Sequence, residues 1–404
     1  MTTGYDAIVV GLGGMGSAAA YHLARRGQRV LGLDAFTPGH TMGSSHGESR
    51  IIRLAYHEHP DYVPLLQRAY DLWHALQQES ATEVLRITGG LFVGSPQSHP
   101  VAGARQSARL HHLPHEVLDA VEIRRRYPAL RPDDGDVAVY ETRAGILFPE
   151  RCIAAYLRLA GEAGAELRRA EPVRSWSPAG SGVEVRTDAG RYHATWVLFT
   201  AGAWLGKLLA DLRLPLRPER NVVFWLQPRE TPERFEPDRF PIFIWDTGAL
   251  GTFYGIPHLD RAGVKVARHH GGQWCDPDTV RREVDAGDEA PVRRFVASRI
   301  PALDGTVASS LVCLYTNTPD EHFVVDRHPE LPGVYYAGGF SGHGFKFASV
   351  IGEILADLTT KDQATPAADF LRANRLNHPS SPHRGTERAS AGEGERPRSL
   401  AKEG

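Results

Sequence analysis

Apolar residues near the start of the chain fall into two short runs separated by a helical stretch. Ala7-Ile8-Val9-Val10 has the unbroken apolar character of a strand buried on both faces, and a glycine turn follows it. A helix is predicted from about Ser17 to Arg26, ended by Gly27, and Arg29 to Asp34 predicts a second strand. The opening is therefore a βαβ unit. Farther along, Val63, Leu66, Tyr70, Trp73 and Leu76 recur at helical spacing and predict a helix over 62–77. The segment Ile87 to Val93 reads as one strand, and 183–186, 196–200, 221–227 and 251–256 are also β-rich. Gly333 to Ala337 is a short apolar strand ending in glycines. The helix predicted over 345–358 carries Phe347, Val350, Ile351, Ile354, Leu355 and Leu358 as one apolar stripe. From His378 to Gly404 the pattern gives way to Ser, Pro, Arg, Glu and Gly, the composition of a disordered tail. No internal repeat is found.

A length of 404 residues exceeds what one core usually organises and favours two domains or one elaborated α/β domain. The 46 basic and 48 acidic residues nearly cancel and form no long single-sign run in the globular part, which argues against a nucleic-acid partner. No apolar run reaches the roughly 18 residues of a membrane span, and no signal peptide opens the chain, so no membrane partner and a cytoplasmic location are expected. Three cysteines, Cys152, Cys275 and Cys313, are widely spaced, so neither a disulfide framework nor a paired-thiol metal site is indicated. His269 beside His270 lacks a second ligand pair, and no metal is expected.

The candidate chemistry begins at Gly11-Leu12-Gly13-Gly14-Met15-Gly16, a G-x-G-x-x-G between a strand and a helix. Gly11 permits the tight turn, Gly13 lets backbone approach a pyrophosphate, and Gly16 lets helix and strand pack closely. Gly14 and Met15 lie at the helix start, whose free N–H groups attract phosphate. Asp34, ending the second strand, would accept from an adenosine ribose and repel a 2′-phosphate. The fingerprint alone fits either NAD or FAD. A second glycine-rich junction, Gly338 to Lys346, includes Gly342, His343 and Gly344 before a helix. It suits the pyrimidine end of a flavin, or is simply a helix cap.

Several blocks together closely resemble the monomeric sarcosine oxidase and N-methyltryptophan oxidase family, within the FAD-dependent amine and D-amino-acid oxidases. They are Gly43-Ser44-Ser45-His46-Gly47-Glu48-Ser49-Arg50-Ile51-Ile52-Arg53, Tyr62-Val63-Pro64-Leu65, Gly202-Ala203-Trp204, Val312 to Thr316, Asp320 to Phe323 and Gly339 to Phe347. The likeness runs from residue 5 to about 360. It implies an α/β fold in which a Rossmann-type FAD-binding domain is interleaved with a mainly antiparallel-sheet substrate domain. The expected boundaries are 1–82, 146–215 and 318–377 for the first and 83–145 and 216–317 for the second, with 378–404 as tail.

The resemblance also implies roles for particular residues. Cys313 matches a cysteine joined covalently to the flavin. Arg53 and Lys346 match the cations that hold the substrate carboxylate. Arg50, Ser44 and His46 match residues around the flavin ring, whereas Ser45 departs from a histidine of the family. Tyr254 and His269 match the polar border of the substrate pocket, and Lys265 matches a lysine beside the flavin that stabilises reduced oxygen. Read from its local sequence alone, Lys265 is an outward residue on a strand. Trp245, placed without gaps, falls where the sarcosine enzyme has a methionine, and on that placement it would shape the substrate pocket. The resulting expectation is a monomer that takes a small amino acid and O2, oxidises the C–N bond of an N-methyl amino acid and yields hydrogen peroxide. Cyclic imino acids such as proline or a piperidine carboxylate are an alternative, as is a dehydrogenase of the same fold. A silent FAD-binding subunit leaves Cys313, Arg53, Lys265 and Lys346 without purpose, and an NAD-dependent dehydrogenase leaves the Gly338 to Lys346 loop and Cys313 unexplained.

Overall fold

A computed structural model of the chain describes residues 4–377 except 38, 230, 260–262 and 362–364; the expected tail, 378–404, lies outside the described residues. The first strand, Gly4–Val10, sits between two parallel neighbours, Val30–Leu33 and Arg191–Phe199, with Val10 opposite Leu33 on one side and Phe199 on the other. Val334–Gly338 adds in parallel beside Phe199. Such a strand meets packed layers on both faces, which is why Ala7-Ile8-Val9-Val10 has no polar alternation. This sheet has eight strands among the described residues.

The helix that follows spans Gly14–Arg25, starting three residues earlier than expected. Its first turn is glycine, methionine and glycine, so hydrophobic periodicity cannot mark it. The helix ends as Gly27 takes φ +78°. The second helix, Tyr62–Ser80, continues one turn past the expected end and stops at Ala81 in the left-handed region. The C-terminal element begins as a 3-10 turn, Phe345–Phe347, before becoming the α-helix Ala348–Thr360.

The single strand expected over 87–93 is two. Leu85–Ile87 and Gly90–Gly94 belong to different sheets, and Gly89, at φ +71°, turns the chain between them. The first lies in a three-stranded sheet with Arg50–Ile52 and Gly145–Leu147. The second joins a mainly antiparallel sheet of nine strands among the described residues, in which Arg217–Leu226 pairs with both Val264–His269 and Val307–Asn317. In that sheet Ile242–Asp246 pairs with Thr252–Ile256 and, in parallel, with Gly90–Gly94.

Strand period assigns the two faces of this second sheet. Phe224, Val264, Val266, Phe243, Trp245 and Phe253 point to one side, where they pack with Val292, Phe295 and Val296 of the helix Ala286–Arg299. Val223, Trp225, Ala267, Tyr254 and Leu311 cluster on the other. The functional cavity lies on that second side.

Candidate active site

A cavity of about 590 Å³ runs from the first glycine turn to the glycine-rich loop before the last helix. At one end it is lined by Gly11, Gly13, Gly14, Met15 and Asp34. Gly16 does not line it; a Cβ there would fall 1.8 Å from the Gly11 carbonyl oxygen and 2.5 Å from Thr200 Oγ1, so its task is close helix–strand packing. Asp34 is buried and accepts from the amides of Leu12 at 2.7 Å and Phe36 at 2.8 Å, which ties the second strand to the turn. The helix start at Gly13 carries no side-chain cap, although Ser45 Oγ accepts from the Gly14 amide at 3.3 Å. This is a backbone cradle that suits a dinucleotide pyrophosphate.

The middle of the cavity is lined by Ser44, Arg50, Cys313 and Tyr315. Arg50 donates through Nη2 to the Ser44 carbonyl at 2.7 Å and lies 3.6 Å from Cys313 Sγ. Ser44 Oγ donates to the Leu314 carbonyl at 2.6 Å, locking the loop to the cysteine strand. Gly342 takes φ +77°, and a Cβ there would meet the Tyr315 ring at 2.3 Å. The glycine thus lets the loop lie against Tyr315. Gly344 and His343 also line the wall.

At the far end Arg53, His57, Glu58, Lys346, Tyr254 and His269 converge with Ile244. Arg53 Nη2 donates to both carboxylate oxygens of Glu58 at 2.6 Å, and its Nε has no hydrogen-bond partner among the described residues. The guanidinium also lies over the Tyr56 ring at 4.2 Å. Glu141, itself buried, accepts from the amides of Leu54 and Ala55 at 2.8 Å, which fixes the backbone beside Arg53. Burial would push the Glu58 carboxyl up, but the Arg53 guanidinium bonded to it outweighs burial and holds the group well below the usual carboxylate range. Lys346 Nζ donates to the His343 carbonyl at 2.6 Å. Burial, reinforced by Arg53 and opposed by Glu58, brings its ammonium down to about 7. Tyr254 is pushed up to about 12, chiefly by burial. His269, 3.3 Å from Tyr315 Oη through Nδ1, is held neutral by burial and by His270.

Three expectations need correction. Trp245 is fully buried on the far face of the sheet, against Phe295, while Ile244 faces the cavity. Adjacent strand residues point to opposite sides, so an alignment shifted by one position exchanges them. Lys265 is not an outward residue: it is 1% exposed and donates to the carbonyls of Gly47 and Ser49, both at 2.8 Å. It is not among the residues that line the cavity, and burial, followed by Arg50, holds its ammonium well below the usual lysine range. His46 does not line the cavity either; its Nε2 turns back to the Gly43 carbonyl at 3.1 Å. Of the residues that sequence reasoning missed, Tyr315 was accessible, because it stands two positions after Cys313 on the same strand face. Glu58 and His57 lie in an irregular segment and carry no periodic signal.

No group of acidic, histidine or cysteine side chains among the described residues could hold a metal ion. No described helix is long and apolar enough to cross a membrane.

Comparison with known proteins agrees with this geometry. A profile of the family described as FAD dependent oxidoreductase matches residues 6–358. A monomeric sarcosine oxidase of Streptomyces avermitilis is 48% identical over 361 residues, covering 89% of this chain and 94% of that protein. An N-methyl-L-tryptophan oxidase of Salmonella arizonae is 36% identical over 369 residues, covering 91% and 97%. Among solved structures, NikD, an unusual amino acid oxidase essential for nikkomycin biosynthesis, superposes with a TM-score of 0.81 at 25% identity, covering 92% of this chain and 98% of that one.

Proposed function

This chain belongs to the FAD-dependent oxidoreductases, in the branch of the monomeric sarcosine and N-methyltryptophan oxidases, and we propose that it oxidises the N-methyl group of a small secondary amino acid with O2 as acceptor. The observation that carries this reading is the pair of buried cations, Arg53 and Lys346, at one end of a cavity whose other end is a dinucleotide cradle.

The residues present fit FAD. Gly11 to Met15 and Asp34 would hold the adenosine diphosphate part, and Ser44, Arg50 and the loop Gly342 to Lys346 would surround the flavin, with Cys313 as the covalent attachment point. When bound, FAD supplies the two-electron acceptor. The protein's own work is binding and orientation. Arg53 and Lys346 neutralise the substrate carboxylate, which a closed site cannot otherwise accept. Tyr254, His269 and Ile244 border the substrate. Arg50 places positive charge beside the Gly47 to Ser49 turn and Lys265 donates to the carbonyls of that turn, where the two can support oxygen reduction. In the overall reaction R–NH–CH3, O2 and water give R–NH2, formaldehyde and hydrogen peroxide. On this reading residues 1–82, 146–215 and 318–377 form the FAD-binding domain and 83–145 with 216–317 the substrate domain. The protein works as a cytoplasmic monomer, in keeping with the monomeric relative.

The test is a visible spectrum before and after acid precipitation, joined to a peroxide assay with N-methyl amino acids. Flavin colour retained in the pellet and peroxide released with sarcosine or a larger N-methyl amino acid are expected. Folded protein that neither carries nor rebinds flavin defeats the reading. Flavin released to the supernatant removes only the Cys313 attachment.

A further inference from the structure

Glu219 and His270 do not line the cavity, yet they adjoin two residues that do, His269 and Tyr315. Glu219, in the strand Arg217–Leu226, stands directly opposite Tyr315 in the neighbouring strand, so the two side chains share one face of the sheet. Its buried carboxylate meets the Gly272 amide at 2.7 Å, Asn317 Nδ2 at 2.6 Å and His270 Nδ1 at 3.3 Å. His270 directly follows the strand Val264–His269, and strand period would send its ring to the face opposite His269. Instead its φ is +60°, a left-handed conformation that costs a non-glycine residue energy. The ring comes back to the cavity side, with its centroid 4.2 Å from that of His269 and 5.4 Å from that of Tyr315.

A strained backbone persists only where its surroundings over-determine it, and such positions cluster where a site must be held in one geometry. Here the carboxylate is the anchor. Against burial, which acts the opposite way on each group, Glu219 raises the imidazole above its ordinary range, and His270, with the Gly272 amide and Asn317, lowers the carboxyl. The pairing favours imidazolium against carboxylate, and His270 adds to burial in keeping the His269 ring neutral.

We infer that His270, anchored by Glu219, is a positioning residue that holds His269 and Tyr315 in the arrangement that meets the substrate's amine. This rests on the cavity end at Arg53 and Lys346 being the substrate site. Hydrogen bonds weaken steeply with misalignment, so a wall whose polar groups can tilt loses affinity for a polar ligand but not for an apolar one of the same shape.

The test uses the purified holoenzyme and two acids that have no amine to oxidise, methoxyacetate and butanoate, titrated by the change in the flavin spectrum. They share a carboxylate and a length, and differ in having an ether oxygen or a methylene where the substrate has its nitrogen. His270→Asn removes the ring but keeps a residue that accepts a left-handed backbone. Glu219→Gln removes the charge and keeps the shape. In folded variants with the flavin content of the wild type, His270→Asn is expected to weaken methoxyacetate about fivefold and butanoate less than about twofold. Glu219→Gln should shift the ratio in the same direction, and the double variant should be no weaker than His270→Asn alone, because the pair acts as a unit. Should His270→Asn not fold with flavin, Glu219→Gln alone carries the comparison. A purely structural pair would lower the melting temperature and leave the ratio of the two acids unmoved. A ratio unmoved in either single variant, costs that add in the double variant, or no spectral response of the wild type to either acid would overturn the inference. A lack of turnover with every N-methyl amino acid would instead defeat the proposed reaction, while the two acids still report on His270.

Discussion

At the scale of single residues, Lys346 is the group most sensitive to pH in the substrate end. Burial holds its ammonium down to about 7, so it is charged below that pH and neutral above it. Only the charged form pairs with a carboxylate. Binding of an inert carboxylate to the holoenzyme should therefore weaken as pH rises through about 7, and Lys346→Met should weaken binding about tenfold or more and abolish that dependence. Glu58 is one of the groups that keep Lys346 protonated. Glu58→Gln should then move the transition to lower pH, and an unmoved transition in that variant would mean that some other group is titrating. Glu58 also occupies Nη2 of Arg53, which leaves Nε as the guanidinium donor without a protein partner.

At the scale of elements, the site depends on two helices that meet with almost no space between them. A Cβ on Gly352, in the C-terminal helix, would come within 2.5 Å of the Ala18 Cβ and 2.7 Å of its carbonyl carbon in the first helix. One helix starts at the dinucleotide turn and the other follows the Lys346 loop, so their contact sets the two ends of the cavity relative to each other. Gly352→Leu should cost about 1–3 kcal/mol by overpacking and lower both the melting temperature and the flavin content of the purified protein. Gly16→Ala should lose flavin more selectively, since its Cβ would collide with the Gly11 carbonyl inside the turn itself. Flavin-to-protein absorbance ratios on folded material separate these two outcomes. These contacts also show why the helix start was invisible as periodicity: its first turn is designed around absent side chains.

At the scale of the whole molecule, several histidines are buried in neutral form. His22 is brought down to about 4, and His46 and His343 to about 3, in each case first by burial. Between these values and the ordinary imidazole value of about 6.5, the unfolded chain binds more protons than the folded one, so stability rises with pH across that interval and falls as the protein is acidified. Glu58 adds to the loss at still lower pH, where its depressed carboxyl finally takes a proton. His270, raised by Glu219 against the opposing effect of burial, works in the other direction and is a smaller, single contribution. The melting temperature should thus drop steadily from about pH 6.5 towards pH 4, and His22→Phe should flatten part of that slope without touching the cavity; an unchanged slope would show that His22 is not a source of the uptake. Local order in the chain was enough to determine the βαβ opening, its glycine turn and the strand character of the middle, because those depend on steric freedom and on periods of 2 and 3.6 within a few positions, whereas the residues expected around a flavin came from the resemblance of whole blocks to a known family. Local order could not determine which face of a strand meets the cavity, since a period of 2 says only that Ile244 and Trp245 point apart. Nor could it place Lys265 against Gly47, Glu58 on Arg53 or His57 in the wall. Those arrangements arise only when segments far apart in the chain, 218 positions in the case of Lys265 and Gly47, are packed together and water is excluded from between them.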